Sequence, residues 1–124
     1  MTELAHLEHY TQHPVFSGEP VDVAQYCDFI TGNVIKYLWR CPFKKSLMTD
    51  LAKAADYCRN LPAPNISIVP QAIVDRMQAE SDAALDGRDS DLLWCTTTAI
   101  LHILNRRYAD ALDLINIAIG KAGQ

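Results

Sequence analysis

An all-α fold, a compact helical bundle, is what this sequence predicts, on three observations. Apolar side chains recur at intervals of three and four residues over most of the chain. Prolines, glycines and other turn formers fall between those runs rather than inside them. And 124 residues, 49% of them apolar, suit one core rather than two, so the whole of 1–124 is read as a single helical domain.

Each element follows from local pattern. Pro14, Gly18 and Pro20 keep residues 13–20 out of regular helix, so residues 1–12 are a lead-in joined by an irregular loop. From 21 to 40, Val23, Tyr26, Cys27, Ile30, Val34, Tyr37 and Leu38 carry the helical spacing, with a break or bend expected near Asp28 to Gly32. Pro42 stops this helix, and Ser46 or Thr49 is expected to cap the next, over 47–60. Leu61-Pro-Ala-Pro-Asn-Ile-Ser reads as a linker dividing the domain into halves, 1–61 and 68–124. The second half predicts a polar helix over 70–85, ended by Asp86-Gly87, then a helical hairpin over 89–105 and 108–121. That hairpin is rich enough in Leu and Ile to predict a homo-oligomer.

Composition excludes several classes. Fifteen acidic against eleven basic residues, a net charge of -4, argue against a nucleic-acid footprint. No apolar run is long enough to span a membrane, and residues 1–13 lack a basic flank before an apolar segment, so a cytoplasmic protein is expected. Cys27, Cys41, Cys58 and Cys95 are widely spaced and read as reduced thiols. His6, His9 and His13 stand three and four apart without an accompanying cysteine or carboxylate cluster, and no metal site is assigned. His102, set among Ile100, Leu101, Ile103 and Leu104, reads as a core or interface residue, and Arg106 and Arg107 as solvated charges or partners of a helix C-terminus.

One constellation points to chemistry. Asn33, Lys36, Tyr37 and Arg40 fall at i, i+3, i+4 and i+7, and therefore on one face of a helix. Arg grips phosphate bidentately, Lys supplies a point charge, Tyr stacks or donates, and Asn reads a ribose or a base edge. Gly32 beside them allows close approach of backbone or ligand. Asp50, Lys53 and Tyr57 repeat the device on the following helix, and the two faces can close on one planar, anionic ligand. The same spacing also fits solvated lysines and arginine, an intrahelical Asp50–Lys53 pair and packing tyrosines. Spacing alone leaves both readings open.

His9-Tyr10, Asp22, Gly32-Asn33-Val34-Ile35-Lys36-Tyr37-Leu38-Trp39-Arg40, Lys44 and Asp50-Leu51-x-Lys53-Ala54-x-x-Tyr57 together resemble a family of small, mostly phage-encoded proteins of formerly unknown function, some described as nucleotide kinases. The resemblance covers about residues 8–61. It implies an all-helical protein of phage nucleotide metabolism, in the host cytosol, that binds deoxynucleotides without a P-loop. It adds His9, Tyr10, Asp22 and Lys44 to the ligand-binding residues, with His9 and Tyr10 as a flap. The chain departs from the family after Arg40, where the loop keeps its bases but has no glycine.

The glycines, at 18, 32, 87, 120 and 123, cannot build a phosphate-wrapping loop, which excludes a P-loop kinase. Phosphoryl transfer rests largely on positioning and charge stabilisation, so Lys36, Arg40 and Lys53 could serve it without that loop. The expected function is kinase-like phosphoryl transfer to a deoxynucleoside monophosphate, with ATP or another nucleoside triphosphate as co-substrate and no catalytic residue named. The alternative is a non-catalytic sponge that sequesters a nucleotide or a nucleotide-derived immune signal.

Overall fold

A computed structural model of the chain describes residues 13–43, 47–61, 66–87 and 91–123, and those residues form helices and connecting turns. The helices are α1 (Val21–Ala24), α2 (Phe29–Arg40), α3 (Leu47–Arg59), α4 (Gln71–Ala84), α5 (Leu92–Leu104) and α6 (Tyr108–Ala122). Helices α2 and α3 form one hairpin, joined through the 3-10 turn Cys41–Phe43, and α5 and α6 form another across Asn105, Arg106 and Arg107. Each helix of one hairpin packs on a helix of the other: α3 lies against α6 and α2 against α5. Short α1 packs on α2, and α4 packs mainly on α5.

The expected break or bend in the first long helix is a complete break over residues 25–28, so it reaches the expected stretch only at Asp28. Asp28 takes extended backbone angles as the N-cap of α2, and its Oδ1 accepts the Thr31 N–H at 2.8 Å. Gly32 therefore sits in the second turn of an uninterrupted helix. At α3 the helix begins at Leu47, so Thr49 lies inside it and is not its cap; Ser46 falls outside the described residues. Helices α4, α5 and α6 lie within a few residues of their expected spans, and Asp91 caps α5 by accepting the Trp94 N–H at 2.7 Å.

Both halves of the sequence supply one hydrophobic core. Val34, Ile35, Leu38 and Trp39 of α2 and Leu51, Ala54, Ala55 and Cys58 of α3 meet Ala99, Ile100 and Ile103 of α5 and Ala111, Ile115 and Ala118 of α6. Much of the apolar surface that suggested an oligomer is thus buried within one chain, because α5 is flanked by α2, α6 and α4. Ile117 remains exposed.

Two segments outside the helices are fixed by specific contacts. His13 Nδ1 accepts the backbone N–H groups of Val15 and Phe16 at 3.0 and 3.1 Å, and its ring stacks on Phe16 beside Trp39. Burial lowers its pKa to about 4, which keeps the ring neutral and Nδ1 able to accept. Residues 66–69, the end of the expected linker, lie along the break between α1 and α2. The Asp28 N–H donates to Ser67 Oγ, the Ser67 hydroxyl donates to Asp28 Oδ2, and the Ile68 N–H donates to the Tyr26 carbonyl. Arg106, at a left-handed φ of 61°, is exposed as expected and also donates from Nη2 to the Ser67 carbonyl at 2.7 Å. Among the described residues no helix is long and apolar enough to cross a membrane.

Candidate functional site

The outer seam of the α2–α3 hairpin gathers most of the residues singled out in the sequence. Core positions Val34, Ile35, Leu38 and Trp39 turn inward, which leaves Asn33, Lys36, Tyr37 and Arg40 on the opposite side of α2. On α3, buried Leu51, Ala54, Ala55 and Cys58 place Lys53 and Tyr57 facing them. The Tyr37 and Tyr57 rings stack at 5.9 Å, and Phe29 meets Tyr57 edge-on at 6.4 Å. Lys36 Nζ stands 5.2 Å from the centre of the Tyr37 ring and Lys53 Nζ 5.4 Å from it. Two ammonium groups from different helices thus share one aromatic ring. Among the described residues neither has a carboxylate partner.

Arg40 and Asp50 close the other end of the seam. Arg40 Nε lies 3.9 Å from Asp50 Oδ2, with the Arg40 side chain 20% exposed and that of Asp50 5%. This is an ion pair without a hydrogen bond: both atoms are buried and neither has a hydrogen-bond partner. A guanidinium carries five N–H donors, and Arg40 makes no hydrogen bond among the described residues, so its capacity to bind an anion is largely unused. Asp50 pairs across helices with Arg40 and not with Lys53 on its own helix. Together with burial, it pushes the nearby Cys41 thiol up to about 12, which keeps that cysteine protonated and unreactive.

Asn33 faces a different space, the cleft between α1 and α2. This cavity of about 350 Å³ is lined by Val21, Ala24, Phe29, Gly32, Asn33 and Lys36, with Glu19 and Asp28 also on its walls. Lys36 and Phe29 join the cleft to the seam, through the Tyr37 and Tyr57 rings respectively. Asn33 Nδ2 donates to the Phe29 carbonyl at 2.8 Å. Asp22 is not a wall of the cleft: its Oδ2 accepts the Glu19 N–H at 2.8 Å and shapes the turn at Gly18, whose φ is 82°. A Cβ on Gly18 would stand 2.5 Å from that oxygen. His9, Tyr10 and Lys44 lie outside the described residues.

Sequence reasoning missed the cleft and its wall residues Val21 and Phe29, because the cleft exists only once α1 folds back on α2. An exposed phenylalanine directly after the capping Asp28 was the available signal. Equally unforeseen is a wide groove of about 730 Å³ between α4 and α5, lined by Ser81, Asp82, Trp94, His102 and Arg107 among others. His102 is half-buried on its wall rather than in the core, with its pKa lowered by burial and by Arg107. Arg107 itself pairs with Asp110 at 2.8 Å. Among the described residues no group of three or more His, Cys, Asp or Glu side chains is placed to hold a metal.

No curated protein and no solved structure matches the chain. Residues 5–59, the stretch that supplies every side chain of the seam and of the cleft, are similar to a family described as a protein of unknown function, DUF3310.

Proposed function

We propose that this protein binds a nucleotide by its phosphate at the α2–α3 seam, through Lys36, Lys53 and Arg40, and that it serves kinase-like phosphoryl transfer to a deoxynucleoside monophosphate. The observation that carries the binding step is the convergence of Lys36 and Lys53 on the Tyr37 ring, with no carboxylate partner for either among the described residues. Both ammonium groups approach the same ring, and an anion bound beside that ring would gain from both charges. Arg40 adds planar donors suited to phosphate oxygens. Three cations around a phosphoryl group would stabilise charge spread over its oxygens in transfer, with a nucleoside triphosphate as donor.

The second reading is retention without turnover. Asp50 favours it, because this carboxylate, the one at the seam among the described residues, is buried against Arg40 and poorly placed to accept a substrate proton. In that case the ligand is a nucleotide or a nucleotide-derived signal, held and not converted.

One incubation separates the two. With labelled deoxynucleoside monophosphate and ATP, transfer yields the diphosphate; retention yields unchanged ligand that elutes with the protein and is recovered after denaturation. Protein that neither converts nor retains any nucleotide overturns both. Arg40→Ala should weaken binding by roughly 1.5–3 kcal/mol, the range for a hydrogen bond to a charged group. A loss below about tenfold in titration calorimetry removes Arg40 from the ligand's contacts.

A further inference from the structure

We infer that the cleft between α1 and α2 is the nucleoside subsite of this same site, with Gly32 as its floor and Phe29 as its lip; the inference rests on the phosphate reading of the α2–α3 seam. The cleft is of the right size, about 350 Å³, for a base and part of its sugar. Its walls are mainly apolar, from Val21, Ala24, Cys27 and Phe29, which suits an uncharged planar ring. Phe29 is 76% exposed although it begins a helix with a well-buried inner face, and its ring is available to stack.

Charge fixes the direction in which a ligand would lie. Glu19 and Asp28 stand on the cleft walls and repel phosphate, while Lys36 is the one cation among the described residues of those walls. An anionic group is therefore directed to the Lys36 end, where Lys53 and the Tyr37 ring are its next neighbours. Asn33 lies between the two regions. Its amide nitrogen is engaged by the Phe29 carbonyl, and its Oδ1 accepts no hydrogen bond among the described residues, leaving an acceptor for a ring-edge N–H.

Gly32 makes the inference testable without disturbing the fold. A Cβ built there would meet Ala24 Cβ at 3.6 Å, the Ala24 carbonyl oxygen at 3.7 Å and Cys27 Cβ at 3.9 Å, all ordinary contacts. Gly32→Ala therefore fits, replaces a helix-weakening residue, and adds a methyl group to the cleft floor. The experiment measures, for the wild type and Gly32→Ala, the melting temperature and the affinities for a deoxynucleoside monophosphate and for inorganic pyrophosphate. The expected result is an equal or higher melting temperature, nucleotide affinity weakened by about tenfold and pyrophosphate affinity unchanged, since pyrophosphate needs only the cations. Unchanged nucleotide affinity in Gly32→Ala overturns the subsite while leaving the phosphate reading in place. A wild type that binds neither probe overturns the phosphate reading itself. Should Gly32→Ala melt lower, Phe29→Ala decides, because an exposed side chain can be truncated with the core intact: weaker nucleotide binding supports the subsite, and unchanged binding overturns it.

Discussion

The two hairpins of the bundle are built by the same local rules and put to different uses. Both α2 and α5 start from an aspartate N-cap in extended conformation, Asp28 and Asp91, and both hairpins bury a stripe of side chains against the other pair. The C-terminal hairpin fills its stripe mainly with alanine and isoleucine, and among the described residues no lysine–aromatic contact decorates its outer side. The N-terminal hairpin packs Trp39 inward against the loop at 13–16 and gathers lysines, tyrosines and an under-bonded arginine outward. One hairpin mainly supplies apolar area. The other supplies area on its inner face and carries, on its outer face, polar groups whose hydrogen-bonding capacity the described residues do not fully satisfy.

The largest effect should come from the place where the N-terminal hairpin does more packing than its counterpart. Trp39 is fully buried and contacts both His13 and Phe16, so Trp39→Ala releases the 13–16 loop along with leaving a cavity. The expected cost is roughly 3–5 kcal/mol, against roughly 2–4 kcal/mol for Ile115→Ala in the aliphatic stripe of α6. Urea denaturation of the two variants checks the order. An equal or smaller loss at Trp39 would show that the aromatic anchoring adds nothing.

That same loop makes stability depend on pH. His13 is held near a pKa of about 4 in the folded chain, against about 6.5 when exposed. Between those values the unfolded chain takes up the proton more readily than the folded one. The contribution is therefore complete above about pH 6.5 and disappears as pH falls toward 4, up to roughly 3 kcal/mol. His13→Asn sharpens the test, because Oδ1 replaces Nδ1 as an acceptor at similar reach but does not titrate. Urea titrations at pH 7.5 and pH 4.5 should show a smaller pH-dependent loss in the variant; equal losses would assign the acid sensitivity to other groups.

What the sequence revealed, and what it hid, divides along the range of the interactions. Helices α2 to α6 follow from apolar spacing, prolines and caps, all of which act within a few residues. The break was legible only at its Asp28 end, because Tyr26, Cys27 and Ile30 keep the helical spacing across residues 25–28. What ends α1 and starts α2 is Asp28, whose bonds to Thr31 are local but whose bonds to Ser67 reach across 39 positions. In the seam, the i, i+3, i+4, i+7 pattern placed Asn33, Lys36, Tyr37 and Arg40 on one side of α2. Which partner each would meet depends on how α3 lies against α2, so the choice of Arg40 over Lys53 as the partner of Asp50 had no local signal. The cleft over Gly32 required α1 to turn back on α2, and a residue count cannot show that.

The smallest expected effect tests whether an unsatisfied polar group means the same thing in the two hairpins. Thr97 of α5 is fully buried and its Oγ1 has no hydrogen-bond partner, as Arg40 Nε and Asp50 Oδ2 have none in the other hairpin. At the seam those groups lie beside a partly exposed arginine, where a ligand can reach the guanidinium. Thr97 faces packed core, and its hydroxyl is only a desolvation cost. Valine has nearly the same shape and a similar helix propensity, so Thr97→Val should raise stability by about 1 kcal/mol and leave nucleotide binding untouched. A fall in the urea midpoint would mean that the hydroxyl does find a partner in the folded chain, and the contrast between a merely unsatisfied group and one proposed to meet a ligand would then lose its C-terminal half.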